Sequence, residues 1–94
     1  MEINIQTPHF SAKPDLIEFV KEHVNKLAQF NSKIIKADVY LKLENIATGD
    51  NKIAEIRVFA AGNSFFASNQ CPTFEEATVK TLNALEKQIK QTWK

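Results

Sequence analysis

Ninety-four residues suffice for one small domain that buries roughly two-thirds of the surface its unfolded chain exposes, and leave no room for a second core. A hydrophobic fraction of 44%, with 24% charged residues, two glycines and three prolines, excludes a disordered or low-complexity chain. Twelve basic against eleven acidic residues give a formal net charge of +1, which by itself calls for no polyanionic partner, so any electrostatic argument rests on where the charges lie.

The chain opens with Met1, Ile3 and Ile5 alternating with Glu2, Asn4 and Gln6, the period of a strand with one buried face, and Pro8 ends it. Strand one is predicted over residues 1–6. Pro14 suits a first helical position and Asp15 the positive end of a helix dipole; Leu16, Phe19, Val20, Val24, Leu27 and Phe30 then follow at helical spacing. Helix one is predicted over 14–30. Ala37, Val39, Leu41 and Leu43 alternate with polar neighbours and Tyr40, and Ile56, Val58 and Ala60 alternate with Glu55, Arg57 and Phe59, which gives strands two and three. The polar stretch from Asn45 to Lys52 between them reads as a hairpin tip. Gly62 and Asn63 both tolerate positive φ and predict a tight hairpin into strand four, over 64–69.

Pro72 stops that strand, Thr73 can cap the next helix, and Glu76 three residues on completes a capping box. On helix two Phe74, Leu82, Leu85 and Ile89 fall on one side, with Ala77, Thr78 and Thr81 small enough for close approach to a sheet. The order βαβββα predicts a single-domain α+β sandwich: a strand–helix–strand crossover to a parallel neighbour, two hairpins that extend the sheet, and both helices on one face of a four-stranded mixed sheet.

The residues of chemistry are sparse. Cys71 is the only cysteine, so no intrachain disulfide or thiol pair for zinc can form, and its surroundings carry no nucleophile signature; a half-buried small hydrophobe is expected. His9 and His23 have no partner at metal-ligand spacing, and no metal or cofactor is predicted. Glu75 and Glu76 are explained by capping and the helix dipole, and Gly49 and Gly62 stand alone rather than in a phosphate loop. The N-terminus has no apolar secretory core after Glu2, and no eighteen apolar residues run together, so a cytoplasmic protein away from membranes is expected.

Charge placement carries more. Lys80, Lys87, Lys90 and Lys94 share one face of helix two, opposite its apolar side, with Glu86 the one acid after Ala77; the stripe spans about 21 Å at 1.5 Å per residue. Such a stripe can meet several phosphates, although solvated helix faces are often lysine-rich without binding anything. Helix one adds Lys21 and Lys26 on its solvent side, diluted by Glu18 and Glu22. Tyr40 and Phe59 are out of phase with their strands' core residues and reach the open sheet face. RVFAAGNSFF lacks the glycine–aromatic run of RNA-recognition sheets, so they read as a cross-strand aromatic pair. Trp93 has no assigned place.

MEINIQ on strand one, LIEFVKEHVNKLAQF on helix one, IIKADVYLKLEN on strand two, and TFEEA with ALEKQIK on helix two, in this order and spacing, resemble the ribosome hibernation promoting factors, also called ribosome-associated inhibitor A or sigma modulation proteins, in their short form. The resemblance covers essentially the whole chain. It implies a βαβββα domain that binds the small ribosomal subunit where messenger and transfer RNA pass, through basic side chains presented to ribosomal RNA. By position Lys26 matches the lysine of the family's K-L pair, Lys87 and Gln88 its basic-Gln pair, and Lys90 and Lys94 lie where a Lys-x-Lys pair is usual. Four positions depart: His23 stands where helix one usually has a basic residue, Gln91 and Trp93 occupy the Lys-x-Lys register, and Thr73 replaces an acid but caps as well. The long forms' linker and dimerisation domain are not among these residues, so a monomer when free is expected.

The expectation is a non-enzymatic translation inhibitor, with Lys21, Lys26, Lys80, Lys87, Lys90 and Lys94 as RNA-binding residues, the small ribosomal subunit and its RNA as partners, and no small-molecule substrate. The first rival is a diverged relative that binds protein instead of ribosomes, motivated by the missing basic positions; the second is a small enzyme on a similar sandwich, motivated by size alone.

Overall fold

In the computed structural model, which describes residues 1–8, 10–29, 31–44 and 51–92, six elements follow in the order β1 (Glu2–Gln6), α1 (Pro14–Gln29), β2 (Ile34–Leu43), β3 (Lys52–Ala60), β4 (Asn63–Cys71) and α2 (Phe74–Thr92). The strands form one sheet in the order β1-β2-β3-β4, with β1 parallel to β2 and the other pairs antiparallel. This is the expected mixed sheet. β1 and β2 run the same way because α1 carries the chain back between them, whereas the β3–β4 hairpin needs only a tight turn.

Alternation sorts the sheet into two faces. Ala37, Val39 and Leu41 of β2, Ala54, Ile56 and Val58 of β3, and Phe65 and Cys71 of β4 are buried under the helices, with Ile3, Ile5 and Ala67 packed at their margin. α1 contributes Val20, Val24 and Leu27, and α2 contributes Phe74, Ala77, Leu82, Leu85 and Ile89. Both helices therefore lie on one face. Thr81 has no exposed surface, and its hydroxyl donates to the Ala77 carbonyl at 2.7 Å while accepting from Asn69 Nδ2 at 3.3 Å, so a polar group is buried with partners beside β4. Phe10, in the loop before α1, stacks on Phe74 with centroids 4.9 Å apart and closes the core at the start of α2.

The local signals fare unevenly. Thr73 Oγ1 accepts the Glu76 amide at 3.1 Å, the N-cap bond expected of that threonine. The β3–β4 turn lies one residue earlier than predicted: Ala60 pairs with Asn63, the loop is Ala61–Gly62, and only Gly62 has positive φ, at 77°. Asn63 instead begins the strand. Cys71 is buried rather than half-buried. Tyr40 and Phe59 do reach the uncovered face but are not a cross-strand pair, because Tyr40 stands opposite Glu55 and Phe59 opposite Lys36. Each ring meets a cation instead: Lys36 lies 5.3 Å from the Phe59 centroid and Lys42 5.9 Å from that of Tyr40. The predicted hairpin tip lies almost wholly outside the described residues, as do His9, Phe30, Trp93 and Lys94.

Candidate nucleic-acid interface

The direction of the helices follows from the sheet. β4 runs parallel to β1, because two antiparallel steps separate it from β2, and each of β1 and β4 is followed by a helix that turns back over the same face. α1 and α2 are therefore parallel neighbours. The side chains between them agree: Phe19 of α1 faces Glu75, Glu76, Val79 and Lys80, and further along His23, Lys26 and Leu27 face Val79, Leu82, Asn83 and Glu86. Like ends consequently adjoin. Asp15, Glu75 and Glu76 occupy the two first turns, and Lys26 and Lys90 the two last turns, so each dipole is matched and the helical layer grows more basic toward its C-terminal end.

Lys80, Lys87 and Lys90 are exposed and lie within about 80° of one another around α2, with Leu85 and Ile89 buried on the other side. The first two have no ion-pair partner among the described residues. Lys90 does: its Nζ lies 3.0 Å from Glu86 Oε1, one turn back, which lowers the charge it can lend to another anion. Lys94 belongs to the predicted stripe but lies outside the described residues.

The helix-one lysines separate. Lys26 lines the hollow of about 150 Å³ between the helices, on the side facing α2. Lys21, five residues earlier, stands about 140° around the helix on the flank away from α2. Lys26 and Lys80 thus line the hollows between the helices, Lys87 and Lys90 continue the exposed stripe of α2, and Lys21 stands apart. Gln88 serves the fold: its Nε2 donates to the Phe66 carbonyl at 2.9 Å and ties α2 to the free edge of β4.

Sequence reasoning passed over His23 as an actor. Its ring stacks on Phe19 with centroids 4.0 Å apart, and its Nδ1 lies 2.8 Å from the Phe19 carbonyl, placing it in the same groove as Lys26. A histidine three residues before a lysine on one helix face was the available signal. Among the described residues no group of three or more His, Cys, Asp or Glu side chains could hold a metal ion, and no helix is long and apolar enough to cross a membrane.

Residues 3–92 match the family model described as sigma 54 modulation protein / S30EA ribosomal protein. No curated protein matches the chain in sequence. Among solved structures, a ribosomal subunit interface protein from Coxiella burnetii superposes with a TM-score of 0.87 at 15% identity, covering 98% of this chain and 97% of that one. The N-terminal domain of Protein Y from Thermus thermophilus does so with a TM-score of 0.79 at 19% identity, covering 97% and 94%. At these identities the structures speak for the fold.

Proposed function

This chain belongs to the sigma 54 modulation protein / S30EA ribosomal protein family, and we propose that it is a ribosome-associated hibernation factor that occupies the messenger and transfer RNA channel of the small subunit. One observation carries the reading: the family match runs from Ile3 to Thr92 and so takes in both helices, which carry the exposed Lys26, Lys80, Lys87 and Lys90. The name of the Coxiella burnetii structure, a ribosomal subunit interface protein, points the same way.

The mechanism needs no bond made or broken. Lys80 and Lys87, unpaired on the rim, attract phosphates and release their counterions, which supplies affinity but no placement. Placement comes from the fit of a rigid two-layer domain into folded RNA, which proteins recognise by shape and backbone. A domain so seated blocks messenger and transfer RNA by exclusion. It acts in the cytoplasm, where ribosomes are.

The test is co-sedimentation with purified ribosomes through sucrose gradients, paired with cell-free translation. Binding at about 50 mM salt that weakens by orders of magnitude toward about 200 mM, together with inhibition, is expected of several phosphate contacts. Absence of the protein from the ribosomal fractions at the lower salt would remove this reading and favour a protein-binding module.

A further inference from the structure

β4 ends the sheet on one side, and its outer edge has none of the features that ordinarily keep a sheet edge from pairing with another strand. Such edges are blunted by shortness, bulges, prolines or charges. β4 runs nine residues in unbroken register with β3, and NSFFASNQC holds no proline and no charged side chain. The opposite edge, β1, is five residues long and carries Glu2. The Ser64 amide donates to Asn63 Oδ1 at 3.0 Å and the Phe66 carbonyl accepts from Gln88 Nε2 at 2.9 Å, both outside the ladder with β3. Backbone direction alternates along a strand, so Ser64, Phe66 and Ser68 aim their amides and carbonyls outward. Their other outward groups meet no partner among the described residues.

The side chains of this edge complement a second copy of themselves. With two β4 strands antiparallel and Phe66 opposite the partner's Phe66, Ser64 falls opposite the partner's Ser68 on the uncovered face, and Phe65 opposite the partner's Ala67 under the helices. No charge meets a charge. Phe66 is 42% exposed, with the Arg57 guanidinium 4.9 Å from its ring centroid, and a facing Phe66 would cover its open flank as a cross-strand aromatic pair. The outward groups of Ser64, Phe66 and Ser68 in the two copies then form about six backbone bonds, with the Asn63 and Gln88 side chains yielding theirs.

The helical layer leaves room for this. α2 straddles β3 and β4, because Thr81 Oγ1 lies 3.3 Å from the Ala54 carbonyl of β3 and 3.3 Å from Asn69 Nδ2 of β4. Strands are about 4.8 Å apart, so a two-fold axis beside β4 would set the two copies of α2 about 10 Å apart, an ordinary helix packing distance. Gln88 marks the flank of α2 that overhangs the edge, and Ala84 and Gln91 share it, one small and both uncharged.

We propose that this chain pairs with a second copy of itself along β4, in an antiparallel register centred on Phe66, as a dimer with one continuous sheet. The contact uses both β4 edges at once, so the assembly closes at two. This dimer stands apart from the ribosome reading and takes the place of the free monomer expected from the sequence.

The experiment is sedimentation equilibrium of the free protein from about 1 µM to about 1 mM, on the parent and two double variants, with circular dichroism melts to establish folding. Ser64 and Ser68 are exposed and about 14 Å apart along one strand, so charges placed there act across the interface rather than on each other. The parent's weight-average mass should rise twofold and level off. Ser64→Lys with Ser68→Lys opposes like charges at two cross-strand positions and should weaken association about 5- to 30-fold. Ser64→Glu with Ser68→Lys opposes unlike charges at the same positions and should associate at least as well as the parent. A parent that stays monomeric to about 1 mM overturns the proposal and leaves the edge to a strand of another protein. Mass that climbs past twofold overturns it too, because pairing of β4 with β4 closes. If the parent doubles but the two variants associate equally, the dimer forms through another surface and the β4 pairing is refuted.

Discussion

Neutralising the two unpaired lysines of α2 isolates their share of the proposed affinity. In Lys80→Gln combined with Lys87→Gln each side chain keeps comparable length and helix propensity, so the change is one of charge. Both residues are exposed and neither has an ion-pair partner among the described residues, so the folded domain should lose no more than about 0.5 kcal/mol. Lys90 is left in place because its bond to Glu86 would confuse the count. Two phosphate contacts at about 0.7 to 0.9 in the logarithmic salt slope correspond to about 25- to 60-fold weaker binding at 0.1 M salt, and to a slope shallower by about 1.4 to 1.8. Lys36→Gln with Lys42→Gln removes the same charge from the uncovered sheet face, where Lys36 pairs with Asp38 at 3.8 Å and Lys42 with Glu55 at 3.1 Å. Ribosome binding over a salt series reads both variants. An equal loss in the sheet-face variant, or an unchanged slope in the helix variant, would show that α2 does not face the RNA.

Two further expectations concern the scaffold that holds this face. Leu85 has no exposed surface, so Leu85→Ala should cost about 2 to 5 kcal/mol and lower the melting temperature by about 10 °C or more; a melt within 2 °C of the parent's, given about 4 to 8 °C per kcal/mol in a domain of this size, would mean the helix packs by another face. Thr81 and Thr78 are both fully buried, but Thr81 Oγ1 has the Ala77 carbonyl and Asn69 as partners whereas Thr78 Oγ1 has none among the described residues. Thr81→Val should therefore destabilise by about 1 to 3 kcal/mol while Thr78→Val is neutral or stabilising, and chemical denaturation giving the reverse order would overturn this account of the buried hydroxyls.

What could be read from the chain divides along the range of the interactions involved. α2 was legible to within a residue at its start because Thr73, Glu76 and the spacing of Leu82, Leu85 and Ile89 are all local to the helix. The turn was misplaced by one because Gly62 and Asn63 tolerate the same backbone; what chose between them was the pairing of Ala60 with Asn63, a property of two strands. Tyr40 and Phe59 were assigned the right face and the wrong partners for a like reason: period two gives the face, but the register of β2 on β3, shifted between Ile34 and Lys36, sets Lys36 against Phe59.

The interface divides in the same way. The stripe on α2 was visible because it lies within one helix, whereas the choice between Lys21 and Lys26 depends on which flank of α1 meets α2. That flank is the one that carries Lys26, which faces Val79, Asn83 and Glu86; and with β1 and β4 parallel, the helices after them are parallel too, so their acidic first turns and basic last turns fall side by side. An antiparallel pair would have set each basic end against an acidic one and blurred the layer's charge. A formal net charge of +1 is thus compatible with a polyanion partner, because three of the eleven acids, Asp15, Glu75 and Glu76, sit at the helix starts, where the dipoles hold them away from the basic last turns. The same sheet order that makes a small core possible is what sets Lys26 against α2, whose exposed side carries Lys80 and Lys87, and keeps Asp15, Glu75 and Glu76 at the N-terminal end of the helical layer.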